Sequence, residues 1–356
     1  MAAPAPRARA RPPRRPVALY LSGRCLGSRE ALFLGLVEHL LARGLDVDVL
    51  AAGPEAWLQE QLPRAAGLVD LARWRRRLPG VPHLLRAYTS APAVAAYLRR
   101  ASPRVLLGTS IPPNLACLLG RHLARSHTPV VIRQSNVIRI SGDPTYGHVR
   151  RRPRDWLLPA LYRHAQGVIA VSAGVADNLR RLGALGGAVE VIPNAIDLEQ
   201  IDAAAARQAD HPWLQDRETP VAVAVGRLVS KKDYPTLFRA LARVRQSQPL
   251  RLIVLGEGPQ RPALEALRRS LGLEQAVSLP GFHDNPFAIL ARADVFALSS
   301  ISEGMPSSLL EALACRCPVV STDCPSGPAE ILEAGRQGLL VPMADPQALA
   351  SALLQV

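Results

Sequence analysis

Twelve short apolar runs, separated by stretches of helical pattern, constrain this 356-residue chain more than any other feature. In the first half they are VALYLSG (17–23), VDVLAAG (47–53), VLLGTS (105–110), VVIRQS (130–135), GVIAVS (167–172) and VEVIPN (189–194). In the second half they are PVAVAVG (220–226), RLIVLGEG (251–258), VSLPGF (277–282), VFALSS (295–300), PVVST (318–322) and GLLVP (338–342). Amphipathic stretches lie between them, such as REALFLGLVEHLLARG (29–44), apolar at helical spacing and closed by Gly44. Continuous apolar strands alternating with helices predict parallel sheets covered on both faces. Two successive sets predict an α/β chain of two doubly wound Rossmann-like domains, 17–195 and 220–356, facing across a cleft. The polar, Ala-rich segment 196–219 reads as a hinge or linker. In open sheets of this kind ligands sit outside the carboxyl ends of the strands.

Composition narrows the setting. The length fits two domains of about 150–200 residues, and a hydrophobic fraction of 48% can fill their cores. Residues 1–16, MAAPAPRARARPPRRP, have nothing to bury and read as a disordered basic tail. The run VALYL behind them is too short for a secretory signal, and no stretch approaches the roughly 18 apolar residues of a membrane span. The five cysteines, Cys25, Cys117, Cys315, Cys317 and Cys324, contain no C-x-x-C pair. They read as reduced, small apolar residues of a cytoplasmic protein, and the spacing of the last three does not suit zinc. No metal and no cofactor is expected. The net charge of +14 is concentrated in residues 1–181, which hold 28 Arg against 10 Asp and Glu. Clusters at 73–77 (RWRRR), 99–100 and 150–154 (RRRPR) are either a solvated face or a surface for an anionic partner. Trp74 and Trp156, in or beside two of them, favour an anionic membrane surface, on the inner face of the membrane; no nucleic acid is expected as a partner.

The 43 basic residues include only two lysines, Lys231 and Lys232, adjacent in GRLVSKKDYP (226–235). An ammonium is a compact point charge where guanidinium is a planar fork. The stretch follows the run PVAVAV, so Arg227 and Lys232 fall at a strand's carboxyl end, and Gly226 lets the backbone come close. Two cations there fit a diphosphate; the plain alternative is an ordinary exposed loop. The following strands end in GEGP (256–259), with Gly256 in a tight turn, and PGF (280–282). The next ends in SSISEGMPSSLLEALA (299–314). There Glu303 lies in a loop, Gly304 frees the backbone, and Pro306 suits the first turn of a helix. The amides of Ser307, Ser308 and Leu309 are expected to be unpaired at that helix start, which makes an anion site. Glu311 follows Glu303 by eight residues. A carboxylate beside a phosphate site suits acceptance of hydrogen bonds from sugar hydroxyls; the alternative is a solvent-facing helix residue.

The stretches VGRLVSKKDYPTLFRAL, LGEGP, GFHDNP, ADVFALSSISEGMPSSLLEALACRCPVVSTDCPSGPAEIL and GLLVPMADP resemble the retaining, GT-B-fold glycosyltransferases of glycosyltransferase family 4. VIRQSN, IAVSAGVADNLRRLG and STDCPSGPAEIL resemble the branch that extends lipid-linked saccharides or polysaccharides from UDP-sugars, as in lipopolysaccharide or exopolysaccharide biosynthesis. The resemblance implies that Arg227 and Lys232 hold the donor diphosphate, with Lys231 incidental. It implies that Glu303 contacts the transferred sugar, Glu311 the ribose hydroxyls, and the backbone at Phe282 the base. Gly226, Gly256, Gly304, Met305, Pro306, Ser307, Ser308 and Leu309 would complete the donor site. No histidine is nominated: Ser135 stands where many relatives have one, and His148 is the nearest exception. In GRCLGSR, Cys25 and Leu26 replace a double glycine and only Arg29 fits the pattern. Relatives usually continue with a helix beyond GLLVPMADPQALASALLQ, so the end at Val356 reads as a short or truncated version.

The implied activity is transfer of a hexose or N-acetylhexosamine from a nucleotide diphosphate sugar, with UDP the expected nucleotide. The acceptor would be a hydroxyl of a lipid-linked or membrane-proximal glycan. Two alternatives are a sugar-nucleotide epimerase of similar fold and a degenerate basic protein that binds membrane or nucleic acid. A dinucleotide dehydrogenase lacks support, because no strand is followed by G-x-G-x-x-G.

Overall fold

Each of the twelve apolar runs contains or overlaps a strand. They are β1 (Val17–Leu21), β2 (Val47–Ala51), β4 (Val105–Gly108), β5 (Val130–Gln134), β6 (Gly167–Ala170), β7 (Ala188–Val191), β8 (Val221–Val225), β9 (Arg251–Leu255), β10 (Val277–Gly281), β11 (Val295–Leu298), β12 (Val319–Thr322) and β13 (Leu339–Val341). A further strand, β3 (Gly67–Asp70), escapes the sequence reading. It has four residues, lies at the sheet edge and is only half-buried, so it carries no strong apolar run. These elements are seen in a computed structural model that describes residues 15–21, 28–53, 56–72, 88–138, 154–215 and 218–356. The tail up to residue 14, Cys25, Leu26, the clusters at 73–77 and 150–153 with Trp74, and the loop bearing His148 lie outside the described residues, as do the side chains of Arg29 and Trp156.

The strands form two sheets, of seven and six strands. The first has the order β3-β2-β1-β4-β5-β6-β7, with parallel pairing of β1 to β2 and β4, of β2 to β3 and of β4 to β5. The second has the order β10-β9-β8-β11-β12-β13, parallel throughout. Both are the doubly wound order, in which the chain runs outward from one central strand and then returns to build the other half. One compact unit comprises the described residues of Met1–Gln134, Arg152–Ile169 and Arg180–Glu190; the other comprises those of Ser135–Arg151, Ala170–Leu179 and Val191–Val356.

Period-two alternation explains the second core. Val221 and Val223 on β8 join Ile253, Leu255, Phe296 and Leu309 on one face, while Ala222 and Ala224 join Leu252, Val254, Phe238 and Leu241 on the other. The helix Tyr234–Val244 contributes Tyr234, Leu237, Phe238, Leu241 and Val244, one stripe at three- and four-residue spacing. Each large side chain so buried contributes about 2 kcal/mol of transfer free energy.

The segment 196–219, expected as a hinge or linker, contains a helix and buried residues. Its residues Leu198–Ala205 form a helix capped by Asp197, whose carboxylate accepts from the Gln200 amide at 2.9 Å. Ile201, Ala209 and Leu214 are buried in the core of the second sheet. The alanines that suggested a linker are strong helix formers, and one apolar residue per turn suffices for docking.

Candidate active site

In the second sheet β8 and β11 are neighbours at the point where strand order reverses, the place where such sheets accept ligands beyond their carboxyl ends. The sequence that follows β8 is Gly226–Asp233; the sequence that follows β11 is Ser299–Pro306. Topology thus brings the two lysines and the acidic loop together. Lys232 Nζ lies 2.8 Å from Glu303 Oε1, and Lys231 Nζ lies 3.8 Å from Glu303 Oε2. Ser300 Oγ donates to Glu303 Oε1 at 2.8 Å. Burial opposes ionisation of Glu303, but the two ammoniums and the bonds from Lys232 and Ser300 outweigh it and hold the carboxyl below the ordinary glutamate value. Lys231, read from resemblance as incidental, is therefore a second cationic neighbour of Glu303. Sequence could not show this, because ion pairing of two adjacent residues with one carboxylate depends on the short 3-10 turn Ser230–Lys232.

The backbone between the two strand ends is laced as tightly as the side chains. Ser299 Oγ donates to the Lys232 carbonyl at 2.7 Å, and the Ile301 amide donates to the Lys231 carbonyl at 2.8 Å. Tyr234 Oη donates to the Gly226 carbonyl at 2.9 Å; burial, helped by the charge of Glu303, raises its pKa and keeps the phenol protonated. Gly226 and Gly256 have positive φ values of 156° and 146°. A Cβ on Gly226 would stand 2.8 Å from Lys232 Cε, and one on Gly256 would stand 2.1 Å from the Gly226 carbonyl oxygen. Glycine at both positions lets the turns after β8 and β9 close over the lysine.

The loop Glu303–Pro306 leads into the helix Ser307–Ala314. Its Gly304 carbonyl accepts from Ser326 Oγ at 2.9 Å, and its Met305 carbonyl accepts from Asn194 Nδ2 at 3.0 Å. The Ser307 and Ser308 amides have no backbone acceptor among the described residues. The Leu309 amide does: it donates to the Pro306 carbonyl at 3.0 Å, which corrects the expectation of three open amides to two. The cause is a tight first turn that closes on the proline carbonyl. Ser308 Oγ is buried and has no hydrogen-bond partner among the described residues. Two amides and a hydroxyl at a helix start, with two ammoniums on the neighbouring turn, make a positively polarised site with one embedded carboxylate.

The remaining candidates divide. Glu311 is 5% exposed, which removes the solvent-facing alternative. Arg227 is exposed and makes no ion pair or side-chain hydrogen bond among the described residues. Phe282 follows β10 and is 51% exposed. The four described cysteines are free and buried. Of the histidines, His211 is buried, joined to Ser278 Oγ at 3.0 Å, and its pKa is lowered by burial first, a structural setting.

Comparison with known proteins agrees with this geometry. Residues 30–200 match the family model described as Glycosyltransferase Family 4, and residues 219–356 match the model described as Glycosyl transferases group 1. The N-acetylgalactosamine-N,N'-diacetylbacillosaminyl-diphospho-undecaprenol 4-alpha-N-acetylgalactosaminyltransferase of Campylobacter jejuni is 37% identical over 52% of this chain and 49% of its own length. The chain thus spans about half the length of that relative. The lipopolysaccharide core biosynthesis glycosyltransferase LpsE of Rhizobium meliloti is 25% identical over 93% of this chain and 85% of its own. Anabaena HepE, solved in complex with UDP-glucose, superposes with a TM-score of 0.74 over 95% of this chain and 88% of its own, at 19% identity, a likeness of fold. Matched by these two models across both of its sheets, the chain belongs to glycosyltransferase family 4.

Proposed function

We propose that this protein transfers a sugar from a nucleotide diphosphate sugar, with UDP as the nucleotide, to a hydroxyl of a lipid-linked or membrane-proximal glycan, with retention at the anomeric carbon. The observation that carries the reading is the convergence of Lys231, Lys232 and Glu303 beside the start of the helix Ser307–Ala314, at the switch point of the second sheet. The activities in the names of the Campylobacter and Rhizobium relatives support the lipid-linked and lipopolysaccharide acceptor class. The structural likeness to a UDP-glucose complex supports the fold into which such a donor fits.

In the transfer, the bond from the anomeric carbon to the diphosphate oxygen breaks and its electron pair leaves with the diphosphate. The acceptor oxygen bonds to the same face of that carbon, and its proton passes to the departing phosphate oxygen. The chain's task is to hold the leaving group as its charge rises, because donors aimed at developing charge need no reorganisation. Lys232 carries three N–H donors, of which Glu303 takes one, and Arg227 has an unengaged guanidinium to add. The amides of Ser307 and Ser308 supply neutral donors. Glu303 contacts the transferred sugar and Glu311 the ribose hydroxyls in this reading; no histidine acts as a base. We also infer association with an anionic membrane surface through the arginine-rich first half, where Arg99 and Arg100 are exposed. Among the described residues no helix is long and apolar enough to cross a membrane.

The test is an assay of the purified protein against a panel of UDP- and GDP-sugars with lipid-linked saccharide acceptors, products read by mass spectrometry. A glycosylated acceptor supports the proposal. A folded sample that neither binds UDP nor transfers sugar overturns it, and an epimerised nucleotide sugar without a glycosylated acceptor replaces it.

A further inference from the structure

Asn194 closes the run VEVIPN, far in sequence from the acidic loop. Its Nδ2 donates to the Met305 carbonyl at 3.0 Å and to Ser307 Oγ at 3.2 Å. The Met305 carbonyl can only accept, so it fixes which end of the Asn194 amide faces the loop. Ser307 Oγ must then accept from Asn194. A hydroxyl has one proton, and among the described residues no acceptor takes that of Ser307.

We infer that Asn194 is a positioning residue of the donor site: by donating to Ser307 Oγ it turns the Ser307 proton toward a phosphate oxygen of the bound donor. The inference rests on the reading above, that a nucleotide diphosphate occupies this site. The neighbouring carbonyl is managed in the same way. The Gly304 carbonyl takes the Ser326 proton at 2.9 Å, so in the 2.7 Å pair of Ser326 with Ser172 the donor is Ser172. Ser172 in turn accepts from the Val175 amide at 3.2 Å. Proton direction is thus set along the whole chain from Val175 to Gly304. The Gly304 and Met305 carbonyls of this loop are both occupied by donors from outside it. Its unspent hydrogens lie on Ser307 and on Ser308, whose Oγ is buried without a partner among the described residues.

A titration with UDP and with uridine, read by calorimetry and by ligand-observed NMR, tests the role in the full chain. Uridine lacks the phosphates and serves as the control for a merely structural effect. In Asn194→Asp the carboxylate accepts the Ser307 proton and adds a negative charge; UDP affinity should fall at least about tenfold while uridine affinity holds. Asn194→Ala should weaken UDP about three- to tenfold. Ser307→Ala should do the same, and the two together should cost little more than either alone. These alanine variants decide the matter if the aspartate variant melts early. Unchanged UDP affinity in all variants, or equal loss of UDP and uridine, overturns the inference. Absence of UDP binding by the folded wild-type chain overturns instead the donor reading beneath it.

Discussion

Lys232 Nζ and Glu303 Oε1 are 2.8 Å apart with their side chains only 11% and 7% exposed, so one of the chain's two lysines is held in a buried ion pair. Lys231, the other, is 41% exposed and reaches Glu303 Oε2 at 3.8 Å. A buried pair of this kind is not chosen for stability, because desolvation offsets most of the attraction. Its presence at the switch point of the sheet fits a role with a ligand, where the ammonium is needed and the carboxylate keeps it in place.

Breaking the pair from one side should be costly. Lys232→Met leaves Glu303 charged and buried, and should lower unfolding free energy by about 3 kcal/mol in a urea titration. Lys232→Met combined with Glu303→Gln removes the stranded charge and should recover most of that loss. A double variant less stable than Lys232→Met would contradict the pairing.

The pair also sets an acid limb. The folded Glu303 carboxyl is held below its ordinary value of 4.5. Its contribution to stability is therefore complete above the unfolded value and is lost as pH falls below 4.5 and through the folded value. The stability difference between wild type and Glu303→Gln should be constant near neutrality and shrink under acid. A difference that grows toward low pH would refute the assignment.

Lys231→Ala should move that acid limb to higher pH, since one of the two cations opposing protonation is gone. Lys231→Arg should restore it in large part. Because Lys231 is substantially exposed, the shift should weaken in high salt. An acid limb identical in wild type and Lys231→Ala would return Lys231 to the status of an ordinary loop residue.

Gly226→Ala and Gly256→Ala should separate in kind. The Gly256 Cβ meets a backbone carbonyl, so that variant should lose stability, by about 2 kcal/mol or more. The Gly226 Cβ meets Lys232 Cε and Nζ, a side chain rather than backbone, so its cost falls on the placement of the ammonium beside Glu303. That variant should keep more of its melting temperature and lose transfer activity out of proportion. Equal effects on both readouts in both variants would contradict the contacts.

Glu311→Ala should weaken UDP about tenfold and uridine with it, because the proposed partner is the ribose they share. This parallel loss is the reverse of the pattern expected for Asn194. Loss confined to UDP would remove Glu311 from the ribose.

Period and punctuation made the two sheets readable from sequence. Val221, Ala222, Val223, Ala224 and Val225 announce a strand covered on both faces, and Gly226 with Pro306 mark a turn and a helix start. These are local signals, each decided within a few residues. β3 gave none, because an edge strand of four half-buried residues needs no apolar run. The helix Leu198–Ala205 was not legible because composition reports polarity, while docking needs only the well-placed Ile201.

The motif residues were likewise visible as types: cations after β8, a carboxylate after β11, a proline-led helix. Their partnership was not. That Lys231 faces Glu303 and that Asn194 grips a loop more than a hundred residues away follow from strand order and from the angle at which each turn leaves its sheet. The sequence by itself determined the two doubly wound sheets and the chemical groups at their strand ends, since period and turn chemistry are written residue by residue. Only the tertiary structure decided which of those groups meet, because distance between side chains is set by packing of elements that share no local pattern.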